Sequence, residues 1–149
     1  GVQIHQQNEI TKAQFGHSLT QRQYERYFHT AKDGDYAKFL SQDWSSDSLS
    51  DGDKWRAAMF IVMCLVDIFD VYEKVEKGFV DKKHLDIRMN ALKFGTMKTE
   101  MARSTWNFWK LTRDEDFISW FENEIYGEET LDMETLKESA DEAFSKSVR

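Results

Sequence analysis

The stretch from Trp55 to Val75 constrains the fold of this chain more than any other part of the sequence. It contains the apolar run Ala57–Val66, and its large side chains recur at helical spacing. One stripe consists of Trp55, Met59, Val62, Val66 and Phe69, and a second of Ala58, Ile61, Leu65, Ile68, Tyr72 and Val75. Phe60 and Met63 make the remaining face apolar as well. The pattern predicts a central helix over 54–77 whose first half is enclosed by neighbouring helices or by a second subunit.

The rest of the chain predicts further helices and no strand. Proline is absent from all 149 residues, so nothing interrupts long helices. Apart from the central helix, the predicted helices cover 2–31, 36–44, about 82–109 with an interruption at Gly95-Thr96, 112–126 with Thr112 opening a capping box, and a last helix from Thr130 or Asp132. Asp51 or Asp53 is the predicted N-cap of the central helix, and Gly78 its predicted stop. The expected fold is all-α, with about six helices in an irregular bundle.

The leading helix is uneven in composition. Its first half is rich in glutamine and poor in apolar residues, which predicts a stalk that projects from the bundle. Its second half carries Phe15, Leu19, Tyr24, Tyr27, Phe28 and Ala31, and the last three have the spacing of one helical face. The sequence therefore predicts one domain overall, with residues 1–31 as helix and stalk and residues 32–149 as the bundle.

The charge is unevenly distributed along the chain, which has a formal net charge of −7. Residues 82–113 hold eight basic and two acidic side chains, whereas residues 114–142 hold twelve acidic and one basic. We expect these segments to face each other within one bundle. Arg88, Lys93, Lys98 and Arg103 are five residues apart, so each is rotated about 140° from the last and they form no stripe. The pattern and the negative charge argue against a nucleic-acid partner.

The sequence shows no constellation typical of a catalytic, cofactor or metal site. Phosphate-binding glycine loops, nucleophile elbows and zinc-ligand spacings are missing. Asp67 and Asp70 lie one helical turn apart. We expect them where the central helix emerges into solvent, or bonded to a base such as Arg88 or Arg103. The alternative is a metal-dependent enzyme that uses Asp67, Asp70 and Glu100.

The aromatic residues near the carboxyl end can be interpreted either as a core or as the lining of a ligand pocket. They are Trp106, Phe108, Trp109, Phe117, Trp120 and Phe121. Aromatic side chains at helical spacing are typical of a core, but they also line apolar pockets. An alternative function is therefore a helical domain that binds a small ligand or a lipid. The candidate pocket or interface residues are Trp55, Phe60, Met63, Trp106, Trp109 and Trp120.

The order of features along residues 3–126 resembles a known type of protein. An apolar helix ends in Phe69-Asp-Val-Tyr-Glu73, followed by Glu76-Lys-Gly78-Phe-Val-Asp81, Arg103-Ser-Thr-Trp106 and Asp116-Phe-Ile-Ser-Trp-Phe121. This order resembles a family of uncharacterised bacterial helical domains, usually tethered by one amino-terminal transmembrane helix that continues into a stalk. The resemblance implies an anchor before Gly1, a place at the bacterial inner membrane with the domain in the cytoplasm, and no catalytic residue.

These observations together predict a non-catalytic helical domain that binds a protein partner. The polar leading helix and the lack of a reactive constellation carry this prediction. Self-association is one form of it, either through the leading helix or through the patch around Phe60 and Met63. We expect contact with a membrane only through a segment before Gly1.

Overall fold

The structure is all-helical over the residues it describes, which confirms the predicted fold class. It is a computed structural model that describes residues 1–44, 49–93 and 95–127. The six α-helices in these ranges are α1 (Val2–Lys32), α2 (Gly34–Leu40), α3 (Asp51–Glu76), α4 (Lys83–Lys93), α5 (Glu100–Trp109) and α6 (Glu115–Tyr126), with 3₁₀ turns at Thr96–Lys98 and Lys110–Thr112. The predicted last helix, from Thr130 or Asp132, lies outside the described residues.

The chain divides into two compact units, Gly1–Arg88 and Met89–Arg149. The first unit contains α1, α2, α3 and the start of α4. The second contains the end of α4 together with α5 and α6. The boundary thus falls within α4.

α3 is the predicted central helix, and both of its ends have a clear physical cause. Ser50 is the N-cap, because its Oγ accepts a hydrogen bond from the backbone N–H of Asp53 at 3.1 Å. The prediction of Asp51 or Asp53 as the cap is therefore wrong by one to three residues. At the other end Gly78 has a φ of +75°, and the N–H of Phe79 donates to the carbonyl of Lys74 at 2.8 Å. This pattern is a Schellman motif, which confirms Gly78 as the stop.

α3 is buried on one face rather than all round. Its buried apolar residues are Ala57, Ile61, Cys64, Leu65, Ile68 and Val71. Four apolar side chains on another face remain in contact with solvent: Trp55 is 66% exposed, Met59 41%, Met63 40% and Val66 51%. In the part of the chain that the structure describes, the predicted enclosure of the first half of α3 is therefore incomplete, because the described helices cover only the opposite face.

α1 runs antiparallel to α3, and the part of α1 that follows its exposed first third packs against α3. Lys12 of α1 pairs with Asp81 beyond the end of α3, at 3.0 Å, and the ring of Phe15 stacks on Phe79 with centroids 5.6 Å apart. Leu19 is the buried residue of this helix. Every residue from Gly1 to Ile10 is exposed, in agreement with the predicted stalk.

The helical face shared by Tyr27, Phe28 and Ala31 does not pack against α3. All three residues are exposed, and so is Tyr24. The face that meets α3 instead carries Phe15, Leu19 and the basic side chains described below, at alternating spacings of four and three residues. The aromatic residues therefore lie on the outer side of the helix.

In the second unit the basic and acidic segments meet as the sequence predicts. Lys93 of α4 pairs with Glu124 of α6 at 2.8 Å, and Lys110 pairs with Glu122 at 3.4 Å. The helices are also interrupted where expected, since Gly95 has a φ of +148° between α4 and α5.

The predicted capping box at Thr112 is not formed. The carboxylate of Asp114 caps α6 instead, accepting from the N–H of Phe117 at 2.9 Å. Thr112 belongs to the preceding 3₁₀ turn, and its hydroxyl donates to the carbonyl of Trp109 at 2.9 Å. The aspartate is the better-placed oxygen because it sits directly before the first helical residue.

Candidate functional site

The predicted site residues lie in two different units of the chain. Trp55, Phe60 and Met63 belong to α3 in the first unit, whereas Trp106, Trp109 and Trp120 belong to the second. Trp55 and Met63 are exposed, and Phe60 is half-buried.

An exposed apolar stripe runs along α3, and we call Trp55, Met59, Met63 and Val66 the α3 stripe. Successive members are four, four and three residues apart, which keeps them on one face of an α-helix. Three turns of helix separate its ends, a length of about 17 Å. Single exposed apolar residues are ordinary, but a contiguous patch of several hundred Å² typically marks an interaction site.

Phe60 is not part of this exposed stripe, although it is a neighbour in sequence. Its ring meets Trp44 edge to face, with centroids 5.5 Å apart, and Tyr36 at 6.5 Å. Trp44 in turn stacks on Phe39 at 5.7 Å and donates its indole N–H to the carbonyl of Phe39. Phe60 therefore holds α2 and the turn after it against α3.

The aromatic residues of the second unit pack against one another as a core. Trp106 is buried, with its ring 4.2 Å from that of Phe121 and 6.0 Å from that of Trp109. Trp120 joins the cluster through Phe117, at 5.9 Å. Among the described residues, the indole N–H of Trp106 has no hydrogen-bond partner. Such an atom costs free energy when it is buried dry, and a water molecule commonly satisfies it.

The first unit also contains a cluster of charges around Asp67. One carboxylate oxygen of Asp67 accepts from Arg22 Nη1 at 2.8 Å, and the other accepts from Arg88 Nε at 2.7 Å. Arg26 adds a third guanidinium at 3.4 Å. The Asp67 and Arg88 side chains are only 5% and 4% exposed. The expectation that the central helix emerges into solvent at Asp67 is therefore wrong, and the alternative bond to Arg88 is confirmed.

The cluster extends to Asp70 and to the backbone of α1. Asp70 accepts from Arg22 at 3.1 Å and from Lys74 at 2.7 Å. Arg88 also donates through Nη2 to the carbonyl of Leu19, at 3.1 Å. Because Arg22 belongs to α1, Asp67 to α3 and Arg88 to α4, this charge clamp joins three helices. The clamp is the set Arg22, Arg26, Asp67, Asp70, Lys74 and Arg88.

The clamp keeps its carboxylates ionised. Burial alone raises the pKa of Asp67, but the hydrogen bonds from Arg22 and Arg88 outweigh burial, and the pKa lies below its ordinary value. The pKa of Asp70 is likewise lowered, since bonds from Lys74 and Arg22 outweigh its partial burial. Both carboxylates already face cations, so the clamp is suited to holding helices together rather than to binding a metal ion. Over the described ranges, no group of three or more metal-ligating side chains is close enough to hold an ion.

A groove of about 400 Å³ lies between the first half of α1 and the start of α4. Its lining includes Lys12, Gly16, His17, Asp81 and His84. Gly16 allows the close approach here, since a Cβ on it would lie 3.2 Å from His84 Nε2. The pKa of His84 is lowered by partial burial and by nearby cations. Lys12 pairs with Asp81, and the lining also holds Glu9 and Lys83, so the two charge signs balance in the groove.

Sequence reasoning found part of this arrangement. It named Trp55 and Met63 as interface candidates and Arg88 as a partner for Asp67. It missed Arg22 and Arg26, although their spacing of three and seven residues from Leu19 placed them on its helical face.

Comparison with known proteins gives no relative. No family profile, no curated protein and no solved structure shows significant similarity to this chain. The resemblance to tethered bacterial domains therefore stays a prediction. In the part of the chain that the structure describes, none of the helices has the length and apolar content needed to cross a membrane.

Proposed function

We propose that this chain is a non-catalytic protein-interaction domain that docks a partner helix along the α3 stripe. The observation that supports it is the two-sided character of α3. One face is packed into the first unit, while Trp55, Met59, Met63 and Val66 on another face remain in solvent. Aromatic residues and methionine are the side chains enriched in the cores of protein interfaces.

The stripe has the size and form that a helix recognises. Three turns of apolar side chains match the i, i+3, i+4, i+7 anchors of an amphipathic helix laid on a surface. Methionine side chains are flexible and adapt to the shape of a partner. Trp55 is two-thirds exposed and supplies the largest apolar surface of the four.

The rest of the first unit holds the stripe rigidly, which favours binding. The opposite face of α3 is buried, and the charge clamp fixes its middle to α1 and α4. A surface that is already ordered loses little conformational entropy when it binds. The same clamp occupies Asp67 and Asp70, the two carboxylates that a metal-dependent enzyme would use, which supports a binding role over a catalytic one.

Site-specific photocrosslinking in the source cells tests this function. A photoreactive phenylalanine replaces Met59, and the control places the same group at Leu111, an apolar residue of the second unit that is even more exposed, at 77% against 41%. We expect one discrete adduct at Met59, lost when Trp55→Glu is added, and none at Leu111. Equal or absent labelling at both positions would refute a docking role for the stripe.

We further propose that the domain is the non-membrane part of a bacterial protein anchored at the inner membrane. Two points support this proposal: the resemblance described above, and the exposed first third of α1, where Gly1–Ile10 bury no side chain. The test is the gene sequence upstream of Gly1. An apolar segment of about 20 residues is expected there, and a fully polar upstream sequence would exclude the anchor.

A further inference from the structure

We propose that the occupant of the α3 stripe is a second copy of this chain, bound antiparallel about a two-fold axis near Met59 and Met63. The inference rests on the proposed function, since it names the partner for the same surface. It is carried by the spacing, the side-chain sizes, the flanking charges and the area of the stripe.

The spacing of the stripe is self-complementary. In an antiparallel pair of identical helices, residues whose numbers share a constant sum lie at the same level. The residue numbers of Trp55 and Val66 add up to 121, and those of Met59 and Met63 to 122, so one two-fold axis serves both pairs. The axis therefore brings Trp55 of each copy to Val66 of the other, with the four methionines between them.

The sizes of the facing side chains also fit. Close packing between two surfaces needs large side chains to face small ones. Trp55 is the largest member of the stripe and Val66 the smallest, and the axis pairs them twice. A parallel pair would place Trp55 against Trp55 and Val66 against Val66, which leaves a clash at one end and a gap at the other.

The charges beside the stripe favour the same orientation. Arg56 and Asp70 flank it on the same side, and the two-fold axis leaves them on that side. Arg56 of one copy then lies about 7 Å along the helix from Asp70 of the other, within reach of an extended arginine. Arg56 is half exposed, 3.8 Å from Asp53 and 4.4 Å from the centre of the Phe39 ring, so its guanidinium has hydrogen-bonding capacity left. Asp70 pairs with Arg22 and Lys74, but its side chain is still 39% exposed and can accept a further bond.

The exposed area sets the expected strength of the dimer. With about 250 Å² for a whole tryptophan surface and somewhat less for methionine and valine, the stripe offers roughly 400 Å². A dimer would bury it twice, about 800 Å² in total, below the roughly 1,200 Å² of a standard stable interface. We therefore expect a weak dimer, with a dissociation constant of roughly 10 µM to 1 mM.

Sedimentation equilibrium from about 5 µM to 1 mM tests the dimer with the whole chain. We expect the apparent mass to rise toward twice that of the chain over this range. Trp55→Glu is expected to weaken association at least tenfold, because it places a charge against Val66 at both ends of the apolar contact. Leu111→Glu serves as the matched control and should leave the dissociation constant unchanged. Far-UV circular dichroism verifies that both variants keep their helices.

Disulfide cross-linking tests the orientation. Single variants Met59→Cys and Met63→Cys are mixed and oxidised, with the unsubstituted chain, which carries only the buried Cys64, as background. The antiparallel axis predicts the mixed Met59–Met63 cross-link in preference to either self cross-link. Dominant self cross-links would overturn the antiparallel arrangement.

The outcomes separate the inference from the proposed function. A strict monomer at 1 mM, or a dimer unaffected by Trp55→Glu, overturns the inference. If the chain is monomeric but the Met59 photocrosslink has a mass other than twice the chain, the stripe docks a different protein, and the proposed function stands alone. Absence of both dimer and adduct removes both.

Discussion

The charge clamp leads to a quantitative prediction for Asp67→Asn. The substitution keeps the volume of the side chain but removes its charge, so the guanidinium of Arg88, 4% exposed, stays buried without its counter-ion. Removing one partner of a buried ion pair costs about 3–5 kcal/mol. Asparagine still accepts one hydrogen bond, so we expect a loss of about 3 kcal/mol, a large part of the roughly 5–15 kcal/mol that stabilises a typical domain. Urea unfolding followed by far-UV circular dichroism at pH 7 measures it.

The pH dependence of this loss follows from the lowered pKa of Asp67. A carboxyl whose pKa is lower in the folded state stabilises the fold above its ordinary pKa of 3.8, and this contribution disappears as the pH falls through the folded-state value. The difference in unfolding free energy between the parent and Asp67→Asn should therefore be constant near neutral pH. It should shrink below about pH 4, where the parent also loses the charge.

Two further variants make the prediction refutable. Asp86→Asn is the matched control: its side chain is 56% exposed and 4.0 Å from Lys82, so we expect a change of less than about 0.5 kcal/mol. Replacing Asp67 and its most buried partner with apolar residues, Asp67→Leu with Arg88→Met, should cost less than Asp67→Asn alone. The buried guanidinium of Arg88 is then gone, Arg22 keeps its bond to Asp70, and Arg26 is 23% exposed and reaches solvent. The reasoning is refuted if Asp67→Asn costs less than 1 kcal/mol, or if its cost is the same at pH 2.5 as at pH 7.

Two more predictions concern the second unit and the lone thiol. Asp114→Ala should destabilise α6 by about 1 kcal/mol in urea unfolding, because the cap of its first turn is lost, whereas Thr112→Ala should have almost no effect; equal losses would restore Thr112 as the cap. Burial raises the pKa of Cys64 to about 11, so its thiol should react with Ellman's reagent at pH 8 only slowly until denaturant is added, and rapid labelling of the native protein would contradict the buried position.

The elements of the fold could be predicted from the sequence where apolar periodicity and glycine placement agree. α3 and its stop at Gly78 are the clearest case. The helix contains a long apolar run, and it is followed by a glycine that adopts positive φ without strain. The caps were less predictable. Ser50 and Asp114 each stand beside other residues with a suitable side-chain oxygen, and local sequence does not decide among them.

The inward face of α1 could not be predicted because its contacts are partly made by charged side chains. Periodicity places Tyr27, Phe28 and Ala31 on one helical face, and a pattern of apolar residues alone favours burial of that face. The helix instead turns Leu19 toward α3, and Arg22 lies on the same face because it meets Asp67, 45 residues further along the chain. Arginine packs its apolar stem while its head finds a carboxylate, so a hydrophobicity pattern undercounts it.

Which faces of α3 are covered could not be predicted from the sequence either. The sequence indicates that α3 is apolar all round, and this is true of its composition. It does not indicate that the described helices cover only one face of α3, because that depends on how many helices reach α3. Trp55 and Met63 are exposed, while Phe60, equally apolar, is covered by Trp44.

The charge clamp also has a mechanical consequence for α1. The carbonyl of Leu19 and the guanidinium groups of Arg22 and Arg26 are held at fixed points on Arg88 and Asp67. A slip of α1 by a single residue would turn these groups by about 100° and shift them by 1.5 Å, breaking every one of these bonds at once. The clamp therefore opposes rotation and sliding of α1 along its own axis. A twist applied to the stalk at Gly1–Ile10 would be transmitted to α3 and α4 through these bonds.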